Sequence, residues 1–246
     1  MAQRFEASDW QTYKMDFQHP HREIEPVERE IAIVDKALDA LISAGILPHK
    51  EYDHERFRAH RAAVRDLFEI PWTAITPRLQ RVLYAINAIT QPRVMVATGI
   101  FCGNTYISNA GAAIGPGACY TASRLVGIEI KPDEAARARR NVARVDPTGV
   151  GEIVAMDGVA WLRDCTEEID LLYLDANGAG KGKSIYLDMV QAALHSLRPG
   201  SIVLAHNSQN DSGTLADYLA FMRDPKQFRE SVNVVVDDQG LEVSIR

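Results

Sequence analysis

Apolar residues in the first third of the chain recur at helical spacing, whereas in the rest they gather into short, nearly continuous runs. Val27, Ile31, Val34, Leu38, Leu41 and Ile42 form one stripe with Gly45 as a stop, so a helix is expected from about Pro26. A second helix is expected to begin at Asp53 as its cap, with Phe57, Val64, Leu67 and Phe68 on its buried side. The stretch "ITPRLQRVLYAINAI" opens a third, with Thr76 as cap and Pro77 at the first helical position. The first twenty-odd residues are polar and patternless and read as an arm.

Beyond the third helix, strand and helix signals alternate. Strands are expected at about Arg93–Thr98, Arg124–Ile130, Glu152–Met156, Asp170–Asp175 and Ser201–Ala205. Helices fall between them near Asn104–Ile114, Pro132–Val145, Val159–Cys165 and Ser184–Leu197. Runs such as "LLYL" and "IVLA" suit parallel strands covered on both faces. The last segment, "FRESVNVVVDDQGLEVSIR", reads as two more strands joined by a turn at Asp237-Asp238-Gln239-Gly240. The pattern therefore predicts an α/β fold, with a doubly wound and mostly parallel sheet of seven strands that ends in an antiparallel hairpin strand.

Composition narrows the function classes. A chain of 246 residues, 46% hydrophobic and 24% charged, can bury one sizeable core. A net charge of −6 offers no electrostatic case for nucleic acid or an anionic membrane. No apolar run approaches the roughly 20 residues of a membrane span. The segment "MAQRFEASDWQTYK" lacks an apolar signal core, and a cytoplasmic location is expected. Cys102, Cys119 and Cys165 show no metal or disulfide spacing and read as reduced thiols. His49 precedes the cap of the second helix, and His54 and His60 lie on different faces of that helix, so all three read as solvated rather than as a metal cluster.

The candidate chemistry sits at the carboxyl ends of the expected strands, where doubly wound sheets bind ligands. In "VMVATGIFCGNT", Gly99 and Gly103 bracket a strand-to-helix turn, and either a ligand or packing of the chain can require the missing side chains. Glu129 ends an otherwise apolar strand just before Pro132, in the place where an acidic residue accepts ribose hydroxyls; helix capping is the alternative. Asp157-Gly158 follows the third strand and either meets an adenine edge or forms a simple turn. Asp175 ends the fourth strand, and His206-Asn207 ends the fifth, so the three side chains can converge on one divalent ion. Gly182-Lys183-Ser184 hints at a phosphate loop, but the pattern needs glycine at position 177, which is Asn177.

Together these residues resemble the class I S-adenosylmethionine-dependent methyltransferases, and within them the metal-dependent O-methyltransferases of the catechol and caffeoyl-CoA type. The resemblance runs from about Ile75 to Arg246. It is carried by "ITPRLQRVLYAI", "GIFCGNT", "GIEIKPDEAARARRN", "DLLYLDA", "LRPGSIVLAHNS" and "DDQGLEVSIR". It implies a Rossmann-like methyltransferase domain over residues 71–246, with residues 1–70 as an arm and helical extension that covers the acceptor and forms dimer contacts.

By the resemblance, Gly99, Phe101, Cys102, Gly103 and Thr105 line the methionine side of S-adenosylmethionine, with Thr76 beside them. Glu129 holds the ribose, and Ile130, Asp157 and Gly158 hold the adenine. Asp175, His206 and Asn207 fall on the metal positions for magnesium, manganese or another transition metal, and Asp175, His206 and Lys181 are the catalytic candidates. The implied reaction is O-methylation of a small hydroxylated acceptor, aromatic or chelating, by a homodimer that uses no nucleic acid or membrane. Trp72 and Phe68 are candidates for lining the acceptor pocket, with packing in an ordinary core as the alternative for each.

Three positions depart from the family's pattern. An acidic residue is usual where Ala97 stands, an aspartate where His206 stands, and a lysine where Gly178 stands. Lys181 or Lys183 can reach back to replace the last. The departures leave open metal-independent N- or C-methyl transfer with His206 as base, or a degenerate protein that binds S-adenosylmethionine without catalysis.

Overall fold

The computed structural model describes residues 3–246. Three helices precede the alternating part of the chain: α1 (Val27–Ser43), α2 (His54–Leu67) and α3 (Pro77–Thr90). Their starts follow the expected caps. The Asp53 carboxylate accepts from the backbone N–H groups of Glu55 and Arg56, and the Thr76 hydroxyl accepts from Leu79 N–H. Before α1 lies a short strand, β1 (Gln3–Glu6).

From there the order is β2 (Val94–Thr98), α4 (Asn104–Ala110), β3 (Arg124–Glu129), α5 (Pro132–Ala143), β4 (Gly151–Ala155) and α6 (Gly158–Asp164). It continues with β5 (Ile169–Leu174), α7 (Ile185–Ala193), β6 (Leu197–His206), α8 (Ala216–Met222), β7 (Glu230–Val235) and β8 (Leu241–Ile245). The strands form one sheet in the order β1-β7-β8-β6-β5-β2-β3-β4. All pairings are parallel except those of β8 with β6 and β7.

The sheet therefore has eight strands rather than seven, because the arm supplies β1 along the free edge of β7. Backbone pairing needs no apolar run, and "QRFE" gave no pattern to read. The arm is held by Arg78, whose side chain is fully buried in α3. Its guanidinium donates to the carboxylates of Glu25 and Asp9 and lies 3.6 Å from the centre of the Tyr13 ring.

Alternation along the strands feeds two cores. Met95, Ala97, Leu125, Leu171, Tyr173 and Leu204 pack on one face with α1, α3 and α4. Val94, Val96, Val126, Ile128, Leu172 and Val203 pack on the other with α6, α7 and α8. Both faces are apolar, as parallel strands require. Among the described residues, no helix is long and apolar enough to cross a membrane. The three cysteines are free thiols.

Several boundaries differ from expectation. The helix after β2 stops at Ala110 with Gly111 as its cap residue, and β6 begins at Leu197, where a helix end was expected. α8 was not anticipated. His60 is buried rather than solvated, stacked on Tyr84 at 5.6 Å. Its ring fills the space a side chain at Gly111 would take, since a Cβ there would lie 2.1 Å from the imidazole. Burial pushes its pKa down to about 4. Phe68 turns into the core with α1 and α3 and does not line the cleft.

Candidate active site

The chain order reverses between β5 and β2, and an open cleft lies there at the carboxyl ends of the strands, as doubly wound sheets provide. Its volume is about 600 Å³, within the range of small-molecule sites. Gly99, Phe101, Thr105, Glu129, Ile130, Asp157 and Gly158 line it. Thr76, Cys102 and Gly103 do not, although they were expected to.

Each of those three is committed to the scaffold. Thr76 is buried and donates its hydroxyl to Asp237 at 2.5 Å. The Cys102 carbonyl accepts from Asn141, and burial pushes its thiol up to about 11. Gly103, with φ +93°, lets α5 approach: a Cβ there would lie 3.3 Å from the Ala138 Cβ. Gly99 lines the cleft but answers to the same kind of constraint. At φ +71°, its Cβ would stand 2.4 Å from the backbone N and Cα of Ala176. The missing side chain thus admits the chain leaving β5 and brings Asp175 to the end of β2.

Between the glycines, Phe101 takes a left-handed φ of +50° and donates its N–H to Glu129 Oε2 at 2.8 Å. Lys131 N–H donates to Oε1 at 3.0 Å. The capping alternative for Glu129 does not hold, since it accepts from none of the N–H groups inside α5 and the start of that helix carries no side-chain cap bond. Two N–H groups pin the carboxylate, each oxygen keeps acceptor capacity, and the residue lines the cleft. Asp157 caps α6 by accepting from Ala160 N–H. Gly158 gives room to Met189, whose Cε would lie 2.9 Å from a Cβ.

The sequence reading missed Thr73, Asn104, Met156 and Asp211 as cleft residues. Asn104 donates to the Thr73 hydroxyl at 2.9 Å. Asn104 stands inside the stretch "GIFCGNT" but was passed over there, and no motif singles out Thr73, Met156 or Asp211. Trp72, half exposed at the mouth, packs on Phe101 with ring centres 4.8 Å apart.

On the other side of the cleft, Asp175 and His206 do meet, with Nδ1 of the imidazole 3.3 Å from Oδ1. Lys183, rather than the expected Lys181, stands with them. Its Nζ donates to Asp175 Oδ1 at 2.7 Å and to the Asp175 carbonyl at 3.1 Å. Lys181 pairs instead with Asp188 at 2.6 Å and is more than half exposed. The turn that delivers Lys183 is closed by reciprocal backbone bonds between Gly178 and Gly182. Because the lysine is spent on a carboxylate, Gly182-Lys183-Ser184 does not form a phosphate cradle. Burial alone would push Asp175 up, but Lys183 and His206 outweigh it and hold the carboxyl below its usual range.

Asn207, at φ +66°, donates its amide to Gln239 and Asn210. Gln239 belongs to the β7–β8 turn, whose Asp237 is fully buried. Burial pushes Asp237 up, against the Thr76 hydroxyl, nearby His206 and the N–H groups of Gly240 and Gln239.

The set Asp175–His206–Asn207 does not fit a divalent ion as the metal reading expected. The ammonium of Lys183 already neutralises Asp175, and an imidazole stands at His206 where a second carboxylate is expected. Asn207 is held through its N–H2 by Gln239 and Asn210 and has only its Oδ1 to offer an ion. Among the described residues, no three His, Cys, Asp or Glu side chains are grouped to hold an ion. Both nitrogens of His206 are buried without a hydrogen-bond partner, and the residue lines the cleft.

Residues 96–208 match a family model described as a methyltransferase domain. No curated protein matches the chain. Among solved structures, the SAH-bound methyltransferase PaMTH1 from Podospora anserina is 18% identical, with 92% of this chain and 99% of that chain covered at a TM-score of 0.60. An O-methyltransferase from Bacillus cereus in complex with SAH is 17% identical over 90% of this chain and all of its own, at a TM-score of 0.55. The O-methyltransferase TomG from Streptomyces achromogenes, in complex with SAM, is 20% identical over 90% and 99%, at a TM-score of 0.56. At these identities the likeness establishes the fold.

Proposed function

We propose that this chain, whose methyltransferase domain has the class I fold, transfers the methyl group of S-adenosylmethionine to an oxygen of a small, planar, hydroxylated acceptor. The observation that carries the reading is the juxtaposition, across one cleft, of a pinned carboxylate at Glu129 with the Asp175–Lys183–His206 cluster. When bound, S-adenosylmethionine supplies an activated methyl group on a sulfonium, which an oxygen lone pair attacks as the C–S pair returns to sulfur.

The residues present suit that cosubstrate. Glu129 offers acceptor lone pairs to both ribose hydroxyls. Ile130 and Met156, exposed apolar side chains on the cleft wall, flank the place for the adenine. Thr73 and Asn104 meet the amino-acid end, where Ala97 supplies no carboxylate. The acceptor lies between the Trp72–Phe101 pair and Asp175, with an aromatic face against Trp72. His206 takes the proton of the acceptor hydroxyl, and positioning of the two reactants supplies much of the rate.

The test is turnover with methyl-labelled S-adenosylmethionine across a panel of hydroxylated aromatic acceptors. A labelled methyl ether is expected with the wild type and a loss of about 10²–10⁴-fold with His206→Ala, the range for removing a general base. Binding of S-adenosylmethionine without turnover on any acceptor would make the chain a binding protein instead.

A further inference from the structure

We propose that Lys183 is the resident cation of this active site: its ammonium takes the place of a divalent ion beside Asp175, and the transfer runs without metal on an acceptor that needs one hydroxyl. The inference rests on the methyl transfer proposed for the cleft.

Lys183 is only 7% exposed. It enters along the Tyr186 ring, with Nζ 5.4 Å from the ring centre. A lysine carries three N–H donors. Two are accounted for, on Oδ1 and on the main-chain carbonyl of Asp175. The third is free, and Lys183 lines the cleft together with His206 and Asp211.

An ion bonded to the Asp175 carboxylate would lie about 2.0–2.6 Å from its oxygen. It would then stand a few ångströms from an ammonium on the same group, and like charges so close inside a pocket repel strongly. One charge and one free donor also set the acceptor class. A divalent ion grips two neighbouring oxygens, whereas a single N–H grips one. In the transfer, the acceptor oxygen forms its bond to the methyl carbon as the carbon–sulfur bond breaks and leaves its pair on sulfur. The hydroxyl proton passes to His206. The products are a methyl ether and S-adenosylhomocysteine, with the Lys183 ammonium bonded to the reacting oxygen throughout.

The experiment is titration of the chelator-treated full chain with manganese chloride, with free ion followed by its paramagnetic resonance signal. The wild type is expected to take up no stoichiometric manganese. Lys183→Met, which keeps most of the length and removes the charge, should bind one equivalent about tenfold more tightly or better. Adding Asp175→Asn to that variant should abolish the gain. A wild type that binds one equivalent of manganese as tightly as Lys183→Met would overturn the inference. If Lys183→Met does not fold, the wild-type titration decides alone. Calorimetric titration with S-adenosylhomocysteine keeps the two questions apart: no binding sinks the methyl-transfer reading, while binding together with tight manganese sinks only the role given to Lys183.

Discussion

Burial of His60 makes stability depend on pH in a window set by one imidazole. The ring sits between Tyr84 and the backbone at Gly111 and Gly117, nearly out of solvent. Burial, aided by nearby Arg61, lowers its pKa to about 4, against about 6.5 in an unfolded chain. Between those values the unfolded chain binds the proton and the folded chain does not. Stability is therefore complete above about pH 6.5 and falls as pH drops toward 4. The full difference is about 3 kcal/mol, and about 2 kcal/mol of it is lost by pH 5. Urea denaturation at about pH 7.5 and pH 5 measures this directly. His60→Gln removes the titration while leaving every other histidine in place, so the wild type should lose about 2 kcal/mol more than the variant across that interval. Equal losses would refute the burial argument.

Two further substitutions test the scaffold under the site. Gly99→Ala puts a side chain at φ +71° and against the Ala176 backbone. It should cost about 2–5 kcal/mol by urea denaturation, the sum of a left-handed residue and an overpacked contact, and a wild-type midpoint would contradict that geometry. Glu30 is buried between Arg61 and Arg81, which hold its carboxyl below its usual range despite burial. Glu30→Gln should cost about 3–5 kcal/mol because Arg81 is left buried without a counter-charge, and a denaturation midpoint unchanged from wild type would count against it.

Much of the fold was legible because parallel strands covered on both faces must be apolar throughout, and "LLYL" and "IVLA" say so directly. The caps at Asp53 and Thr76 were legible because capping is local. β1 was not, since an edge strand held by backbone pairing needs no apolar pattern. His60 was misread because the space that buries it belongs to glycines in another element. At the site, Glu129 stood out as a lone carboxylate ending an apolar strand. The pairing of Lys183 with Asp175 depends on a turn folding back between Gly178 and Gly182, which spacing along the chain does not reveal. Asp237 looked like a turn residue and is one, but its burial under Thr76 beside His206 appears only in three dimensions.

The most direct test of the account is calorimetric titration of the full chain, wild type and Glu129→Ala, with S-adenosylhomocysteine. Two hydrogen bonds from ribose hydroxyls to a charged acceptor are worth about 1.5–3 kcal/mol each. The wild type should bind one equivalent, and the variant should bind at least about a hundredfold more weakly. No heat of binding with folded wild-type protein, or equal affinity in the two proteins, would mean that the cleft beside Glu129 is not where the cosubstrate sits.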